Sequence, residues 1–242
     1  MLKPRSHTFF HFTKEIDTLK SILKNGFWTR YCQEDFEWYN PEINSICYPM
    51  VCFCDIPLSR IDEHIDFYGN YGLGLTKKWG FSNELNPVIY LSNKPLKKSL
   101  LTLFSQNQNQ EYYPNSASDI NSILSFIKPV KGNIKKEGKS IEKDFYQENE
   151  WRYIPSSPKI QMWISKEDFE NEEIKNKFNK SAQEHGSLKF HPNDIKYIFV
   201  KSDLDIPNII DFIQSTFSNY SDNELKILIS RIVSLESLNA DL

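Results

Sequence analysis

Residues 49–80 read PMVCFCDIPLSRIDEHIDFYGNYGLGLTKKWG, and the elements on either side can be placed outward from this segment. The apolar run 50–54 has the length and β-leaning composition of a buried strand. Asp55 ends the run, and Pro57 suits the first turn of a helix, where a missing N–H removes no hydrogen bond. The next apolar side chains recur at helical spacings of four and three: Ile61, Ile65 and Tyr68.

The segment 68–74, YGNYGLG, places three glycines among two tyrosines. Glycine lets a backbone turn tightly and approach a ligand closely, and aromatic faces can flank that ligand. We therefore expect a turn here, and residues 49–80 as a whole predict one wall of a pocket. A packed core segment with no ligand explains the same pattern, so both interpretations stay open.

Bulk composition excludes two classes of protein. The 242 residues are 39% hydrophobic with a mean hydropathy of -0.54, and they contain no apolar stretch long enough to span a bilayer. The net charge is -3, so there is no overall basic field for nonspecific nucleic-acid binding. Residues 1–10 lack an apolar signal region, and the four cysteines lack zinc-like spacing. These features predict a cytoplasmic protein with reduced thiols and no bound metal.

The remaining elements predict one α+β domain over residues 1–242, with a core at about 8–200 and helices around a twisted, partly antiparallel sheet. Residues 27–48 have no clear periodicity and are interpreted as a long ordered loop. The expected strands are 8–13, 86–91, 129–131 and 195–200, and the expected helices are 14–25 (ended by Gly26), 95–104, 120–127, 166–185 and a C-terminal pair at 206–236. A Gln/Asn-rich connector covers 106–116.

A late strand carries charge on one face. Glu150, Arg152 and Ile154 alternate with aromatic residues, so the glutamate and arginine share a side. Charged side chains on an inward face are unfavourable unless they are paired or serve a function. A structural ion pair and a functional site are both consistent with this pattern. Glu148 lies two residues earlier and is predicted to share that face.

The segment 131–143 is basic and contains glycine, with lysines at 131, 135, 136, 139 and 143. A solvated hairpin tip explains this composition. Contact with phosphates is the alternative, because lysines that bind nucleic acid mostly contact the phosphate backbone.

The order of three elements suggests a fold family. The early HFT at 11–13, the aromatic segment 68–74 and the late Glu150 follow the layout of the ADP-ribosyltransferase-like fold, in which a split sheet binds NAD. Residues 11–27 resemble the opening of the DarT-type DNA ADP-ribosyltransferases. This resemblance implies an ADP-ribosyltransferase-like α+β fold for the chain.

Over residues 8–200 the chain more closely resembles the AbiGi family of abortive-infection phage-resistance proteins. Members are described as the antitoxin half of a bicistronic system whose partner is a nucleotidyltransferase-like toxin. The matching segments are 11–13 (HFT), 51–59 (VCFCDIPLS), His64, 68–74 (YGNYGLG), 78–80 (KWG), 86–90 (NPVIY) and 148–153 (ENEWRY).

The transferase resemblance implies a role for each site residue. Glu150 would be the catalytic carboxylate that stabilises an oxocarbenium-like state as the nicotinamide–ribose bond breaks. His11, with Thr13, would hold a ribose of NAD. Arg152 would bind a phosphate or neutralise Glu148, and the carboxylate could be Glu148 instead of Glu150. Two tyrosines would stack on nicotinamide: Tyr68 and Tyr71.

Three hypotheses follow. The first is a phage-defence protein that binds NAD as its substrate and transfers ADP-ribose to a nucleic-acid or protein acceptor, or hydrolyses NAD. The second is a non-catalytic antitoxin that neutralises a cognate toxin through the helix 166–185 and the C-terminal pair. The third, nucleic-acid binding by the 131–143 lysines, is disfavoured by the net negative charge.

Overall fold

A computed structural model describes residues 6–39, 44–92, 94–106, 116–136 and 139–240. The predicted connector 106–116 lies outside the described residues at positions 107–115. The strands are β1 (Thr8–Thr13), β2 (Arg30–Asp35), β3 (Ser45–Cys54), β4 (Tyr71–Thr76), β5 (Asn86–Pro87), β6 (Ile89–Leu91), β7 (Ile127–Pro129), β8 (Lys131–Lys136), β9 (Lys139–Asp144), β10 (Glu150–Tyr153), β11 (Ile164–Ser165), β12 (Ile195–Val200) and β13 (Ile232–Ser234).

Ten α-helices are interspersed among these strands in the described part of the chain. The α-helices are α1 (Ile16–Asn25), α2 (Asp62–Tyr68), α3 (Lys77–Ser82), α4 (Lys94–Gln106), α5 (Ser116–Leu124), α6 (Lys166–Glu170), α7 (Glu172–Gly186), α8 (Ile206–Thr216), α9 (Asp222–Ile229) and α10 (Leu235–Asn239). Most strand pairs are antiparallel, and β6 with β7 and β12 with β13 are parallel. The predicted α+β class with a partly antiparallel sheet is confirmed.

The chain divides into two compact units. Unit 1 comprises residues 1–28, 52–85 and 188–242, and unit 2 comprises residues 29–51 and 86–187. Strand β3 crosses this division, with 45–51 in unit 2 and 52–54 in unit 1. One domain over residues 1–242 stays a prediction.

The sheet of unit 1 has the order β13, β12, β4, β1 and the end of β3. Strands β1 and β4 pair antiparallel from Thr8↔Thr76 to Thr13↔Tyr71. Helix α1 follows β1 and ends at Gly26, whose φ of 76° lies in the left-handed region that glycine favours. The predicted strand 8–13, helix 14–25 and capping glycine are confirmed.

The tyrosine-glycine segment differs from its prediction. The turn is formed by Gly69, with φ of 120°, and by a bend at Asn70, and Tyr71 then begins the central strand β4. Gly72 is needed in this strand because a Cβ there would lie 2.6 Å from the Phe12 ring and 2.8 Å from the His11 carbonyl oxygen. The glycine therefore admits neighbouring protein atoms, and the predicted turn over 68–74 is wrong beyond Asn70.

Aromatic side chains fill the interior of unit 1. On one side of the sheet, β1, β12 and α2 contribute Phe10, Phe12, Phe199 and Ile65 to a buried cluster. A second aromatic group includes Phe27, Phe53 and Trp79, with ring centroids 5.1–6.0 Å apart. Such edge and tilted contacts add to the stabilisation from burying the rings.

The sheet strands of unit 2 surround β3. Strand β2 pairs with β3 antiparallel from Arg30↔Met50 to Asp35↔Ser45, and β11 pairs with β3 through Ile164↔Cys47. Strand β10 lies between β3 and β5. The predicted long loop at 27–48 is therefore wrong, because this region supplies β2 and the beginning of β3.

Helix α7 covers the edge of β2. The side-chain oxygen of Asn179 accepts a hydrogen bond of 2.9 Å from the Tyr31 backbone N–H, and the Thr29 hydroxyl donates to the Gly186 carbonyl at 2.5 Å. The predicted single helix 166–185 is broken at Asn171, whose side chain caps α7 by accepting from the N–H groups of Glu173 and Ile174. The predicted cap at Ser165 is confirmed for α6.

Several smaller elements also differ from expectation. The predicted strand 86–91 divides into β5 and β6, which belong to different sheets, and the predicted strand 129–131 is displaced to β7. The C-terminal pair at 206–236 is interrupted by β13, which pairs in parallel with β12. Within the basic segment 131–143, strands β8 and β9 pair antiparallel. In the part of the chain that the structure describes, no helix combines the length and apolar character needed to cross a bilayer.

Candidate functional site

The predicted site residues fall into two sets. His11, Thr13, Tyr68 and Tyr71 belong to unit 1, whereas Glu150 and Arg152 belong to unit 2. Within each unit the local contacts show what each side chain does in the folded protein.

His11 is held in place by the interior of unit 1. Its Nδ1 lies 2.8 Å from the Cys52 carbonyl oxygen, and because a carbonyl only accepts hydrogen bonds, Nδ1 carries the proton. The ring centroids of Phe27 and Phe53 lie 5.0 and 5.7 Å from that of the imidazole. Burial lowers the pKa of His11 by more than the carbonyl bond raises it, so the neutral form is favoured.

The other three predicted residues of unit 1 also have partners within the unit. The Tyr68 ring lies 4.5 Å from His64, and the His64 ring lies 5.8 Å from Phe12, centroid to centroid. Thr13 is the last residue of β1 and lies opposite Tyr71 in β4. The Tyr71 hydroxyl donates a hydrogen bond of 3.3 Å to Asp205, and partial burial followed by that carboxylate raises the pKa of Tyr71.

Glu150 lies at the start of β10 and is 6% exposed. One carboxylate oxygen, Oε1, accepts from Arg152 Nε at 2.7 Å, and the other, Oε2, accepts from Lys128 Nζ at 2.8 Å. Burial alone would raise the pKa of Glu150, but Arg152 and then Lys128 hold it well below its ordinary value. Glu150 is therefore ionised, and each of its oxygens carries an ion pair.

Arg152 is fully buried and uses all three arms of its guanidinium. Besides the bond to Glu150, Nη1 donates to the Ser125 carbonyl oxygen at 2.6 Å and Nη2 donates to Glu34 Oε2 at 2.9 Å. Buried charges are tolerated when hydrogen bonds satisfy them in this way. Arg152 forms ion pairs with Glu150 and Glu34, and its predicted neutralisation of Glu148 stays a prediction.

Glu148 is paired with two lysines. Its Oε1 lies 2.5 Å from Lys143 Nζ and its Oε2 lies 3.4 Å from Lys128 Nζ. Burial alone would lower the pKa of Lys128, but Glu150 and the other nearby carboxylates raise it above its ordinary value. Glu148 ends a 3₁₀ turn, and Asn149 with φ of 43° separates it from β10, so the predicted shared strand face with Glu150 is wrong.

These residues form one buried charge network in unit 2, here defined as Glu34, Lys128, Lys143, Glu148, Glu150 and Arg152. It contains three acidic and three basic groups and joins β2, β7, β9 and β10. The predicted alternation in β10 is confirmed, because Glu150 and Arg152 are buried while Trp151 and Tyr153 are half-buried. Sequence reasoning missed Glu34 and Lys128, whose regions were read as a loop and a helix end.

Comparison with known proteins places the chain in a family. Residues 25–201 match the family model described as "Putative abortive phage resistance protein AbiGi, antitoxin". The chain belongs to the AbiGi family. It is 32% identical over 247 residues to the "Abortive phage resistance protein AbiGi" of Lactococcus lactis subsp. cremoris, an alignment that covers 89% of this chain and 99% of that protein.

The family assignment confirms the AbiGi resemblance and the connection with abortive phage resistance. No solved structure matches the chain. The ADP-ribosyltransferase-like layout therefore has no support from a relative of known structure.

Proposed function

We propose that this AbiGi chain acts in phage defence as an antitoxin that binds a cognate nucleotidyltransferase-like toxin directly, and that the buried charge network serves to hold unit 2 in its folded form. The family description supports the antitoxin part of this proposal. The geometry of Glu150 supports the non-catalytic part.

The engagement of Glu150 is the observation that carries the proposal. A carboxylate that stabilises an oxocarbenium-like state needs an oxygen directed at the ribose. Both oxygens of Glu150 are used instead by Arg152 and Lys128 at 2.7 and 2.8 Å, inside the protein. An ion pair satisfied on both sides favours a structural role for this glutamate.

Helix α7 offers a surface suited to a protein partner. Its buried residues include Ala182 and Gly186, so the opposite face is directed at solvent. That face carries exposed charges of both signs, a pattern that can match a partner by electrostatic complementarity. The exposed charged residues are Glu172, Glu173, Lys177, Lys180 and Glu184. We propose this face of α7 as part of the toxin-binding surface.

The NAD hypothesis stays the alternative. In that account the chain has an ADP-ribosyltransferase-like fold, binds NAD through His11, Thr13, Tyr68, Tyr71 and Arg152, and uses Glu150 for catalysis. It requires Glu150 to leave one of its two ion pairs when substrate binds. Its acceptor would be a nucleic acid or a protein.

Growth of cells that produce the toxin encoded beside this chain tests the proposal. Wild-type chain is expected to restore growth, and Lys177→Glu with Lys180→Glu is expected to weaken protection because two charges of the α7 face are reversed. The matched control, Lys14→Glu with Lys24→Glu, reverses the charge at two exposed lysines of unit 1. It is expected to protect as well as wild type. Equal protection by both double variants would remove α7 from the interface.

Incubation of purified wild-type protein with NAD separates the two accounts. The antitoxin account predicts no NAD consumption above a buffer control, with or without the toxin. Turnover that disappears in Glu150→Gln, in protein shown by circular dichroism to be folded, would replace the antitoxin proposal with the enzymatic one.

A further inference from the structure

Unit 2 contains a cavity of about 340 Å³ that lies apart from the carboxylates of the buried charge network. Its volume is within the range of small-molecule sites, roughly 300–1,000 Å³. The residues that line it come from β3, the end of α5 and the segment after β10: Tyr48, Ser122, Ser125, Phe126, Ile154, Pro155, Ser156, Ser157, Pro158, Ile160 and Met162.

The cavity has a buried floor and an open rim. Tyr48, Ser125 and Ile160 are buried, whereas Ser156 and Pro158 are exposed. A ligand could therefore enter from solvent and rest against a surface that is rigid because it is packed within the unit. This shape distinguishes the cavity from a packing void that solvent cannot reach.

The chemistry of the lining excludes charged ligands. None of the described residues that line the cavity carries a charged side chain. Arg152 lies behind the wall, where Nη1 donates to the Ser125 carbonyl oxygen while Nε and Nη2 donate to Glu150 and Glu34. An ionised ligand would lose its hydration here without gaining a counter-charge, which is unfavourable.

One hydroxyl group provides a polar contact at the floor, and one aromatic ring provides apolar surface. The Ser125 hydroxyl donates to the Ser122 carbonyl oxygen at 2.7 Å, which leaves its oxygen able to accept. Tyr48 is fully buried beneath the floor, with its hydroxyl 3.4 Å from the side-chain oxygen of Asn121. The half-buried ring of Phe126 adds flat apolar surface suited to a ring.

We propose that this cavity binds an uncharged, ring-containing small molecule that offers at least one hydrogen-bonding group. The inference does not depend on the antitoxin proposal, because none of the lining residues belongs to helix α7 or to the charge network. It assigns unit 2 a ligand site in addition to its proposed partner surface.

Binding of two probes of matched size tests the inference. Indole-3-carboxamide is neutral, and indole-3-carboxylate carries one negative charge. Ligand-observed NMR with full-length protein is expected to show saturable binding of the carboxamide and at least tenfold weaker binding of the carboxylate. Equal binding of the two probes, or no saturable binding of the carboxamide, would overturn the proposal.

Substitutions locate the site. Met162→Trp fills the cavity and is expected to abolish carboxamide binding, whereas Met162→Leu keeps a similar volume and is expected to retain it. Ser156→Trp provides a second test at the exposed rim, where an added ring does not disturb the packed interior. Carboxamide binding that persists unchanged in folded Met162→Trp and in Ser156→Trp would contradict this location.

Discussion

In unit 1, aromatic rings packed against glycine hold the strands together, whereas in unit 2 six charged side chains, three buried and three half-buried, link the strands by ion pairs. Gly72 in β4 fits against the Phe12 ring, and Gly80 in α3 fits against the Phe9 ring. In unit 2 the corresponding interior contacts of β10 are ion pairs from Glu150 and Arg152. Both interiors contain residues that sequence reasoning selected as an NAD site.

The difference matters for how each unit should respond to substitution. In apolar packing a substitution lowers stability gradually, since a neighbouring ring can shift by a few tenths of an ångström to accommodate an added methyl group. A buried ion pair responds more abruptly, because removing one partner leaves the other charged and without its counter-ion.

Replacing Arg152 with methionine should have the largest effect. Met fills a similar volume, but Glu150 and Glu34 lose a buried partner, so we expect the free energy of unfolding to fall by about 3–5 kcal/mol. Urea unfolding followed by circular dichroism measures the change. The control Lys177→Met removes a positive charge on the exposed face of α7 and should change the free energy by less than about 0.5 kcal/mol. A loss below 1 kcal/mol for Arg152→Met would show that the network contributes little to stability.

Replacing Gly80 with alanine tests the packing of unit 1. A Cβ at this position would lie 2.2 Å from Phe9 Cε2, so the ring must move, and we expect destabilisation of about 1–3 kcal/mol. Phe9→Leu removes the clashing ring edge. In the Phe9→Leu protein, Gly80→Ala should therefore lower the free energy of unfolding by less than it does in the wild-type protein. If Gly80→Ala is as stable as wild type, close packing does not define this part of unit 1.

The smallest effect concerns the pH dependence of unit 1. Burial holds the folded-state pKa of His11 below its ordinary value of 6.5, so protons bind more readily to the unfolded chain. The contribution of neutral His11 to the free energy of unfolding is fully present above pH 6.5. It decreases as the pH drops toward the folded-state pKa, with a slope of at most about 1.4 kcal/mol per pH unit. His11→Leu should remove that part of the decline between pH 7 and 5. Identical profiles for wild type and His11→Leu would contradict the assignment.

Local patterns in the sequence predicted the elements whose signals are local. Strand β1, helix α1 with its Gly26 cap, and β12 follow from apolar periodicity and capping chemistry. The alternation of Glu150 and Arg152 also predicted a charged face in β10. This alternation could not predict the ion-pair partners. Lys128 lies 22 residues from Glu150 in the chain, and Glu34 lies 118 residues from Arg152.

The wrong predictions have identifiable physical causes. Strand β2 reads RYCQED, and its charged residues hide the alternation that pairing with β3 and covering by α7 impose. Ile232 and Leu235 have helical spacing, yet pairing with β12 draws 232–234 into a strand. The glycines of β4 suggested a turn, although their function is to admit the rings of neighbouring strands.

The substitution Glu150→Gln tests most directly whether the buried charge network is structural. Free energy of unfolding and protection against the toxin are measured on the same protein, with the exposed Glu142→Gln of the same unit as the control. We predict that Glu150→Gln lowers the free energy of unfolding by several kcal/mol, on the order of 3, and protects cells fully at a temperature where it remains folded. Unchanged stability together with lost protection would contradict the account and make Glu150 a functional carboxylate.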